Sequence, residues 1–220
     1  MRTVAILPIK SFDQAKQRLR HELAAHDRRA LVEAMFADAL VALGRVSSLE
    51  QIVVVSGDRV AQRIAVGYGA EVVEDDERGH NNAAAAGIAT LAKNGVERAL
   101  LVPGDCPLLS ANDLNILLTH PAQARSALIV PDRHGTGTNA LLLTPPDVLS
   151  PSFGPDSCRR HLADAEAAGV PADVVELDSL ALDVDTPDDL DALRRTLAGT
   201  HGGAAHTRGM LNQLMRAQAS

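Results

Sequence analysis

The stretch that decides the fold is "RALLVPGDCPLLSANDL", residues 98–114. It opens with an apolar run over 99–102, which has the composition of a buried strand, and a Pro-Gly turn follows at once. Ser110 then stands where an N-cap is expected, which predicts a helix over 111–119. A buried strand, a tight turn and a helix form the repeating unit of an α/β sheet, and this unit delivers one carboxylate, Asp105, to the strand end.

Similar units lie on either side of this stretch. Apolar runs predict further strands at 4–9, 52–55, 70–73, 127–130, 140–143 and 174–182. Segments with the apolar period of a helix lie at 27–43, 58–66 and 82–93. Because strands that alternate with helices form right-handed βαβ units, we predict one α/β domain over 1–198 with a mostly parallel sheet. Strands dominate residues 126–182, which predicts an antiparallel hairpin or an edge lid there.

The chain ends in a segment of different composition. Residues 199–220 are rich in glycine, threonine and histidine, which is typical of a linker, and 209–218 has the apolar spacing of a short helix. We therefore predict a flexible or partner-docking C-terminal tail.

Composition and charge exclude several classes of protein. The chain has 220 residues and a formal net charge of -7, and its lysines and arginines are scattered, so it lacks the clustered basic face that binds nucleic acid. Its two cysteines, Cys106 and Cys158, fit neither a disulfide framework nor a zinc site. No apolar run approaches the length of a membrane span. We predict a cytoplasmic protein that binds neither nucleic acid nor membrane, with a homodimer left open.

Two acidic segments point to a divalent cation. Asp105 lies at the ligand-binding edge of the predicted sheet, and Asp183 and Asp185 alternate with an apolar residue, so both face one side of a predicted strand. Like charges side by side repel each other unless a cation offsets them, and Mg²⁺ prefers carboxylates together with phosphate oxygens and waters. We predict that these three residues hold Mg²⁺. The alternative for Asp105 is a cap on the following turn, although Ser110 is available for that purpose. Thr186 can likewise cap a helix that begins at Pro187, which leaves Asp183 and Asp185 free of capping.

Cations and amides follow the first and third predicted strands. Lys10, Lys16 and Arg18 come from the loop and helix after the first strand, where nucleotide phosphates are commonly held, with a solvated helix face as the alternative. The chain carries no GxxxxGK[ST] motif, which excludes a P-loop NTPase. Asn81 and Asn82 open a helix of small residues and offer donors and acceptors to a purine edge or a ribose, with an N-cap as the alternative.

Two loops rich in glycine and hydroxyl groups suit an anion. "GTGTNA", residues 135–140, matches the dinucleotide fingerprint G-x-G-x-x-A, but a strand-like run follows it instead of a helix, so we reject that interpretation. Its backbone N–H groups are better suited to an anion-binding nest. "FGPDSCRRH", residues 153–161, adds Gly154, Ser157 and two arginines near a helix N-terminus. Two such loops predict a phosphorylated or carboxylated co-substrate.

Six motifs carry a family resemblance over residues 3–197: "LPIKSFDQAKQRL", "GHNNAAAAG", "LLVPGDCPLL", "GTGTNALLL", "FGPDSCRRH" and "LDVDTPDDL". In these motifs the chain resembles the guanylyltransferases of deazaflavin coenzyme F-420 biosynthesis, the CofC/FbiD type. The broader relatives of that family are nucleotidyltransferases of glycosyltransferase-A-like fold, including molybdopterin guanylyltransferase. They use a glycine-rich first loop, whereas the corresponding loop here carries lysine and arginine, which favours the narrower family. The resemblance implies a single three-layer α/β domain with a mostly parallel mixed sheet.

The resemblance also implies transfer of GMP from GTP to a small phosphorylated carboxylic acid, with release of pyrophosphate. The segments "DRHGTGTNALLL" and "PSFGPDSCRRHL" look like the branch that uses phosphoenolpyruvate, with 2-phospho-L-lactate and 3-phosphoglycerate as alternatives. By motif, the acceptor would be bound by Thr138, Gly154 and Ser157, and Mg²⁺ by Asp105, Asp183 and Asp185. The predicted catalytic residues are Lys16, Arg18 and Asp105. The predicted nucleotide ligands are Lys10, Lys16, Asn81 and Asn82.

Two other classes of function compete with this one. A glycosyltransferase of the same fold would use Asp183 and Asp185 as a DxD metal motif, but that motif usually lies mid-chain and here it lies near the C-terminus. A nucleotide-binding module without catalysis would leave the acidic cluster without a cation to offset its repulsion. The sequence therefore favours guanylyl transfer.

Overall fold

The computed structural model describes residues 1–75, 79–121 and 123–218. Within them, seven strands form one sheet: β1 (Thr3–Pro8), β2 (Gln51–Val55), β3 (Glu71–Val73), β4 (Arg98–Leu101), β5 (Ser126–Pro131), β6 (Thr138–Thr144) and β7 (Ala172–Val174). The helices are α1 (Ala25–Leu43), α2 (Arg59–Gly67), α3 (His80–Lys93), α4 (Ala111–Thr119), α5 (Ser157–Ala167), α6 (Asp178–Ala181), α7 (Pro187–Gly199) and α8 (Ala205–Gln218). Two 3-10 turns, Phe12–Gln14 and Gln17–Leu19, follow β1. In this part of the chain no helix is both long and apolar enough to cross a bilayer.

The sheet has the strand order β3-β2-β1-β4-β6-β5-β7. Among the described strands, β6 alone runs against its neighbours, and β5 and β6 form an antiparallel hairpin. This topology confirms the predicted mostly parallel sheet with a hairpin in its later part. β1 connects to β2 on one side and pairs with β4 on the other, so the winding of the chain reverses between β1 and β4. Such a switch point opens a crevice at the carboxyl ends of the strands.

Alternate residues of the strands supply two hydrophobic cores, one on each face of the sheet. In β1, Ala5 and Leu7 lie in one core, whereas Val4 and Ile6 lie in the other, as the two-residue period of a strand requires. The first core contains residues of α1, α2, α4, α7 and α8, and the second contains residues of α3 and α5. The three layers of helix, sheet and helix confirm the predicted architecture.

Helices α4 and α7 begin where the sequence predicts a cap. The hydroxyl oxygen of Ser110 accepts a hydrogen bond from the backbone N–H of Asp113 (3.4 Å) at the start of α4. In α7, Thr186 and Asp189 form a capping box, and Pro187 occupies the first helical position. Both caps leave Asp105 and the acids that precede α7 free for other contacts.

Gly104 brings the loop after β4 against the end of β1. A Cβ atom at this position would lie 2.5 Å from Cδ1 of Ile9 and 3.2 Å from Cδ2 of Phe36, both of which are buried. Only glycine lets the backbone approach so closely. The loops that follow the two central strands therefore meet at the carboxyl edge of the sheet.

The predicted strand over 174–182 is wrong. β7 ends at Val174, and Asp178–Ala181 form the short helix α6. Leu177 and Leu180 recur three residues apart, which is the spacing of a helical turn rather than of a strand, and Leu180 is fully buried.

The structure also corrects the description of the C-terminal tail. Residues 205–218 form α8, which packs against α1 of the same chain and buries Leu211 and Leu214 in the core. Asp38 of α1 accepts hydrogen bonds from two backbone N–H groups in the first turn of α8 (2.8 and 3.0 Å). Because this cap comes from a distant helix, α8 begins before the predicted residue 209. The last two residues of the predicted tail lie outside the described residues.

Candidate active site

Lys16 lies at the carboxyl edge of the sheet, in the loop that follows β1. Its backbone is in the left-handed region, with φ 54°, and its side chain is only 5% exposed. The Nζ atom donates hydrogen bonds to Oδ2 of Asp105, in the loop after β4, and to Oδ1 of Asp185 (2.6 Å), just before α7. One buried ammonium group therefore joins three separate segments of the chain.

The charges in this cluster depend on each other. Burial by itself lowers the pKa of Lys16, but the carboxylates of Asp105 and Asp185 outweigh burial and raise that pKa above its usual value. Burial by itself raises the pKa of Asp105, but the ammonium group of Lys16 outweighs burial and lowers it. Lys16 and Asp105 are therefore both charged at neutral pH.

Asp183 lies beside the same cluster in a different environment. Burial and the neighbouring carboxylate of Asp105, with a smaller effect from Asp185, raise the pKa of Asp183. Its Oδ1 accepts a hydrogen bond from Nδ2 of Asn139 (3.2 Å), which also donates to the carbonyl of Leu180 (2.7 Å). A carboxylate whose pKa is raised by like charges marks a place where an added cation is bound favourably.

Asp189 holds the acidic segment in place. Its Oδ2 accepts hydrogen bonds from the backbone N–H of Asp185 (3.1 Å) and of the residue after it (2.7 Å), and its Oδ1 accepts from the guanidinium group of Arg133. The N–H of Val184 donates to the backbone carbonyl of Asp105 (3.2 Å). These bonds fix the backbone of residues 184–186, and so they fix the position of the Asp185 side chain relative to Lys16 and Asp105.

The carboxylates match Mg²⁺ in chemistry, and one of them has an oxygen without a partner. Oδ1 of Asp105 is buried and has no hydrogen-bond partner among the described residues, which is the state expected of an oxygen that receives a metal ion. Among the described residues, no group of three or more histidine, cysteine, aspartate or glutamate side chains is positioned to hold a metal ion without rearrangement. The ammonium group of Lys16 lies between Asp105 and Asp185 instead. The three carboxylates have the chemistry of Mg²⁺ ligands, whereas the ammonium group of Lys16 occupies the space between two of them.

The residues predicted to bind the acceptor form a network around His161 of α5. The His161 ring is fully buried, its Nδ1 lies 3.0 Å from Oγ1 of Thr138 at the start of β6, and its Nε2 accepts a hydrogen bond from the N–H of Ser152 (3.0 Å). Ser157 opens α5, and its N–H donates to the carbonyl of Gly154 (3.1 Å). The structure therefore connects Thr138, Gly154 and Ser157 through one loop and one buried ring.

The loop before α5 is clamped from two sides. Nη2 of Arg160 donates to the carbonyl of Ser152 (2.6 Å), and Nη1 donates to that of Pro155. Asn81, at the start of α3, uses both ends of its amide on the backbone of Phe153, since Oδ1 accepts from the N–H (2.8 Å) and Nδ2 donates to the carbonyl (3.2 Å). The amide predicted to contact a nucleotide is thus engaged by the loop of the predicted acceptor site.

The structure corrects the prediction of an anion nest in the turn before β6. Oδ1 of Asp132 accepts hydrogen bonds from the N–H groups of His134 (3.1 Å) and Thr136 (2.9 Å). A Cβ atom on Gly137 would lie 2.6 Å from Oδ2 of the same carboxylate. The protein therefore supplies its own anion to this turn. The rejection of a dinucleotide fingerprint agrees with the structure, because strand β6 follows the turn.

Three further predicted residues lie on exposed positions outside the buried cluster: Lys10, Arg18 and Asn82. Lys10 is close enough to His80 for its charge to help lower the pKa of that ring. The nucleotide-binding and catalytic roles assigned to these three residues stay predictions.

Sequence reasoning missed three side chains that support the site: His80, Asn139 and His161. Burial lowers the pKa of His80 against the opposing effect of Asp105, and the His80 ring packs edge-on against Phe153 with 5.3 Å between centroids. His80 therefore links the carboxylate cluster to the acceptor loop. A signal was present for two of them, because His80 and Asn139 each adjoin a predicted residue in the sequence.

Comparison with known proteins gives a consistent set of relatives. A family profile described as "Guanylyl transferase CofC like" matches residues 3–217. Phosphoenolpyruvate guanylyltransferase of Conexibacter woesei is 54% identical over 218 residues, 98% of each chain. The 2-phospho-L-lactate guanylyltransferase of Methanothermobacter thermautotrophicus is 30% identical over 97% of this chain and 92% of that one. The 3-phospho-D-glycerate guanylyltransferase of Colwellia psychrerythraea is 33% identical over 88% and 91%.

Solved structures show the same fold. A nucleotidyl transferase of Methanothermobacter superposes with a TM-score of 0.67 at 16% sequence identity, covering 91% of this chain and 99% of that one. At this identity the likeness concerns the fold alone. The predicted three-layer α/β architecture is therefore confirmed independently of the sequence motifs.

Proposed function

The chain belongs to the CofC-like guanylyltransferase family, and from that premise we propose that it transfers GMP from GTP to phosphoenolpyruvate. The products are pyrophosphate and enolpyruvoyl-2-diphospho-5'-guanosine, for coenzyme F-420 biosynthesis. The observation that carries the proposal is the 54% identity, over 98% of both chains, to a protein named phosphoenolpyruvate guanylyltransferase. The geometry supports it, since a buried cation and three carboxylates adjoin a polar loop network at the switch point of the sheet.

In the proposed reaction a phosphate oxygen of the acceptor attacks the α-phosphorus of GTP. A new P–O bond forms, the bond from the α-phosphorus to the oxygen that bridges to the β-phosphorus breaks, and pyrophosphate leaves with that electron pair. The acceptor phosphate is already ionised at neutral pH, so no protein nucleophile is required. Cys106 is fully buried, and burial holds the pKa of its thiol well above the usual value, so it stays a protonated packing residue.

Lys16 is the residue that we place against the phosphates. Its raised pKa keeps it cationic, and a cation fixed in a buried site reduces the repulsion between two anionic substrates. We propose that Lys10 and Arg18, which are both exposed, add positive charge for the phosphates. Asn81 and Asn82 lie at the start of α3, where we propose that the nucleotide is recognised, and Asn81 also holds the backbone of Phe153 with its amide.

The metal part of the proposal rests on the three carboxylates. When bound, Mg²⁺ would neutralise and orient phosphate oxygens. Asp105 is the first proposed ligand, because one of its oxygens is buried without a hydrogen-bond partner in the described residues. Asp183 is the second, because burial and the neighbouring carboxylates raise its pKa, and Asp185 is the third, bonded to Lys16.

The proposal includes a cytoplasmic location, with GTP and a small phosphorylated acid as the partners and neither nucleic acid nor membrane. Both cysteines, Cys106 and Cys158, are free thiols, as is usual in a reducing compartment. A homodimer stays a prediction.

Pyrophosphate release tests the proposal. The protein is incubated with Mg²⁺ and GTP, together with phosphoenolpyruvate, 2-phospho-L-lactate or 3-phosphoglycerate, one at a time. We expect the fastest release with phosphoenolpyruvate. Faster release with either of the other acids would reassign the acceptor, as the names of the relatives allow. GTP binding without release from any acid would contradict the proposal and favour a binding module, and turnover of a nucleotide sugar would favour a glycosyltransferase.

A matched pair of variants tests the role of the central carboxylate. Asp105→Asn keeps the shape of the side chain and removes its charge, so we expect turnover to fall about a hundredfold or more while the fold is retained. Asp188→Asn changes an exposed acid of α7 and should leave turnover unchanged within about twofold. A near-wild-type rate for Asp105→Asn would refute the role of Asp105.

A further inference from the structure

We propose that His161 is a positioning residue of the acceptor site. Its ring donates a hydrogen bond to the hydroxyl oxygen of Thr138, and this turns the hydroxyl hydrogen toward an anionic group of the acceptor. This inference rests on the proposed function for the identity of the acceptor. The directions of the hydrogen bonds around the ring rest on the structure alone.

The tautomer of His161 follows from the partner of its Nε2 atom. That atom lies 3.0 Å from the backbone nitrogen of Ser152, and a backbone N–H is only ever a donor. Nε2 must therefore accept, and a neutral ring then carries its hydrogen on Nδ1. Nδ1 lies 3.0 Å from Oγ1 of Thr138, so the ring donates to the hydroxyl oxygen.

The ring stays neutral at any pH at which the protein would be assayed. Burial lowers the pKa of His161 to about 4, and the nearby charges are Asp164, which raises the pKa, and Arg160, which lowers it, both on α5. The His161 ring makes a T-shaped contact with Phe153, with 5.3 Å between centroids, and Phe153 makes a second T-shaped contact with His80. A protonated ring would point a second N–H at the Ser152 N–H, which is unfavourable.

The consequence for Thr138 is a hydroxyl with a fixed role. A threonine hydroxyl has one hydrogen and two lone pairs, and the bond from His161 uses a lone pair. The hydrogen is left to donate elsewhere, and a donor fixed in a buried place is suited to a carboxylate or phosphate oxygen. Without the ring, the hydroxyl could turn either its hydrogen or a lone pair toward the acceptor, and a lone pair would repel an anion.

The same ring ties this hydroxyl to the loop that carries Gly154. Because Nε2 holds the N–H of Ser152 while Nδ1 holds Thr138, the start of β6 and the loop before α5 cannot move independently. Arg160 and Asn81 clamp the other backbone groups of that loop. His161 is thus placed to set the distance between two proposed acceptor ligands.

Two substitutions separate the two bonds of the ring. The amide of His161→Asn lies near the position of Nδ1 and can still donate to Thr138, whereas the amide of His161→Gln extends toward the position of Nε2 and can only replace the bond to Ser152. We expect His161→Gln to raise the KM for phosphoenolpyruvate about tenfold or more, with the KM for GTP changed less than about twofold. His161→Asn should recover most of that loss.

A double substitution asks whether the effect passes through the hydroxyl. Adding His161→Gln to Thr138→Val should raise the KM for phosphoenolpyruvate no further than Thr138→Val alone, because the group that the ring orients is already gone. Equal increases in the KM for GTP and for the acceptor, or additive effects of the two substitutions, would overturn the proposal, since they would show a general loss of structure.

The tautomer itself has a readout that needs no turnover. In ¹⁵N-labelled wild-type protein we expect His161 to show a protonated Nδ1 and an unprotonated Nε2 at neutral pH, and a protonated Nε2 would overturn the inference even if the variants fail to fold. If the wild type turns over none of the three acids, the proposed function fails, while the ring spectrum still decides the hydrogen-bond directions.

Discussion

Lys16 shows how one residue can join the carboxylates of an acidic site. Its ammonium group is buried and bonded to Asp105 and Asp185, and these carboxylates keep it charged. The left-handed backbone of Lys16 has a conformational cost that the surrounding contacts must offset, a feature that is common at functional sites. A cation that occupies the space between two proposed metal ligands should compete with the metal.

The first prediction concerns this competition. In Lys16→Met, we expect the free energy of unfolding to fall by about 2 kcal/mol, less than for a fully buried pair because the Asp185 side chain is 48% exposed. MgCl₂ should then raise the Tm of Lys16→Met more than that of the wild type, because the ion meets two carboxylates that have lost their partner. Differential scanning fluorimetry measures both. Lys10→Met, at an exposed position, is the control, and equal Mg²⁺ shifts in all three proteins would contradict the prediction.

The second prediction follows from the pKa of His161, which burial lowers from 6.5 to about 4. Between these values the unfolded chain binds a proton at this residue and the folded chain does not, so stability falls as the pH falls. The free energy of unfolding should fall by about 3 kcal/mol through this group as the pH falls to 4, with most of that loss between pH 6.5 and 4. Urea unfolding of the wild type and His161→Asn measures it as a difference in pH dependence. His201→Asn, at an exposed position, should follow the wild type, and parallel curves for all three would contradict the prediction.

At the scale of the element, the start of α7 combines a helix cap with a support for the site. Asp189 closes the capping box with Thr186 and also accepts from the N–H of Asp185, so the bonds that begin the helix also fix the acidic segment before it. Arg133 joins this corner to the turn before β6. The cap was expected from the sequence, whereas the bond from Arg133 to Asp189 joins two residues that are distant along the chain.

The third prediction separates the two acids of that first turn. We expect Asp189→Asn to lower the free energy of unfolding by about 1–2 kcal/mol, because a buried charged acceptor of several hydrogen bonds is lost. Turnover should fall as well, since the segment that carries Asp185 loses its anchor. Asp188→Asn, at the exposed neighbouring position, should change stability by less than about 0.5 kcal/mol. Urea unfolding measures both variants, and equal effects of the two substitutions would show that Asp189 does not support the segment before α7.

At the scale of the whole molecule, α8 completes the layer that covers one face of the sheet. Leu211 and Leu214 enter the same core as residues of α1, and Asp38 of α1 caps the helix. Arg208 extends from α8 to the carbonyl groups of Leu197 and Thr200 at the end of α7. The C-terminal segment is therefore part of the domain that carries the site, although the site lies at the edge of the sheet.

The fourth prediction tests that packing with neighbouring residues of α8. Leu214→Ala should lower the free energy of unfolding by about 2–3 kcal/mol, because it opens a cavity between α8 and α1. Met215→Ala, at a side chain that is 51% exposed, should change it by less than about 0.5 kcal/mol. Chemical denaturation of both variants measures the difference. A tail that is loose in solution would make the two substitutions equivalent.

The sequence by itself determined the α/β class, the parallel sheet with its hairpin, the caps at Ser110 and Thr186, and the family. These features depend on local periodicity, on capping chemistry or on motifs that are contiguous in the chain. It also identified Asp105 as a candidate at the carboxyl edge of the sheet, because the carboxyl ends of parallel strands lie at that edge for any conformation of the loops.

Only the tertiary structure decided which side chains meet. Lys16 lies between Asp105 and Asp185, Asn81 is engaged by a loop far away in the sequence, and His161 is the buried ring behind Thr138. Each of these contacts joins residues that are distant along the chain, and their partners depend on loop paths and on burial, for which local patterns contain no information. The docking of α8 has the same cause, since its buried leucines pack in a core formed by residues from elsewhere in the chain.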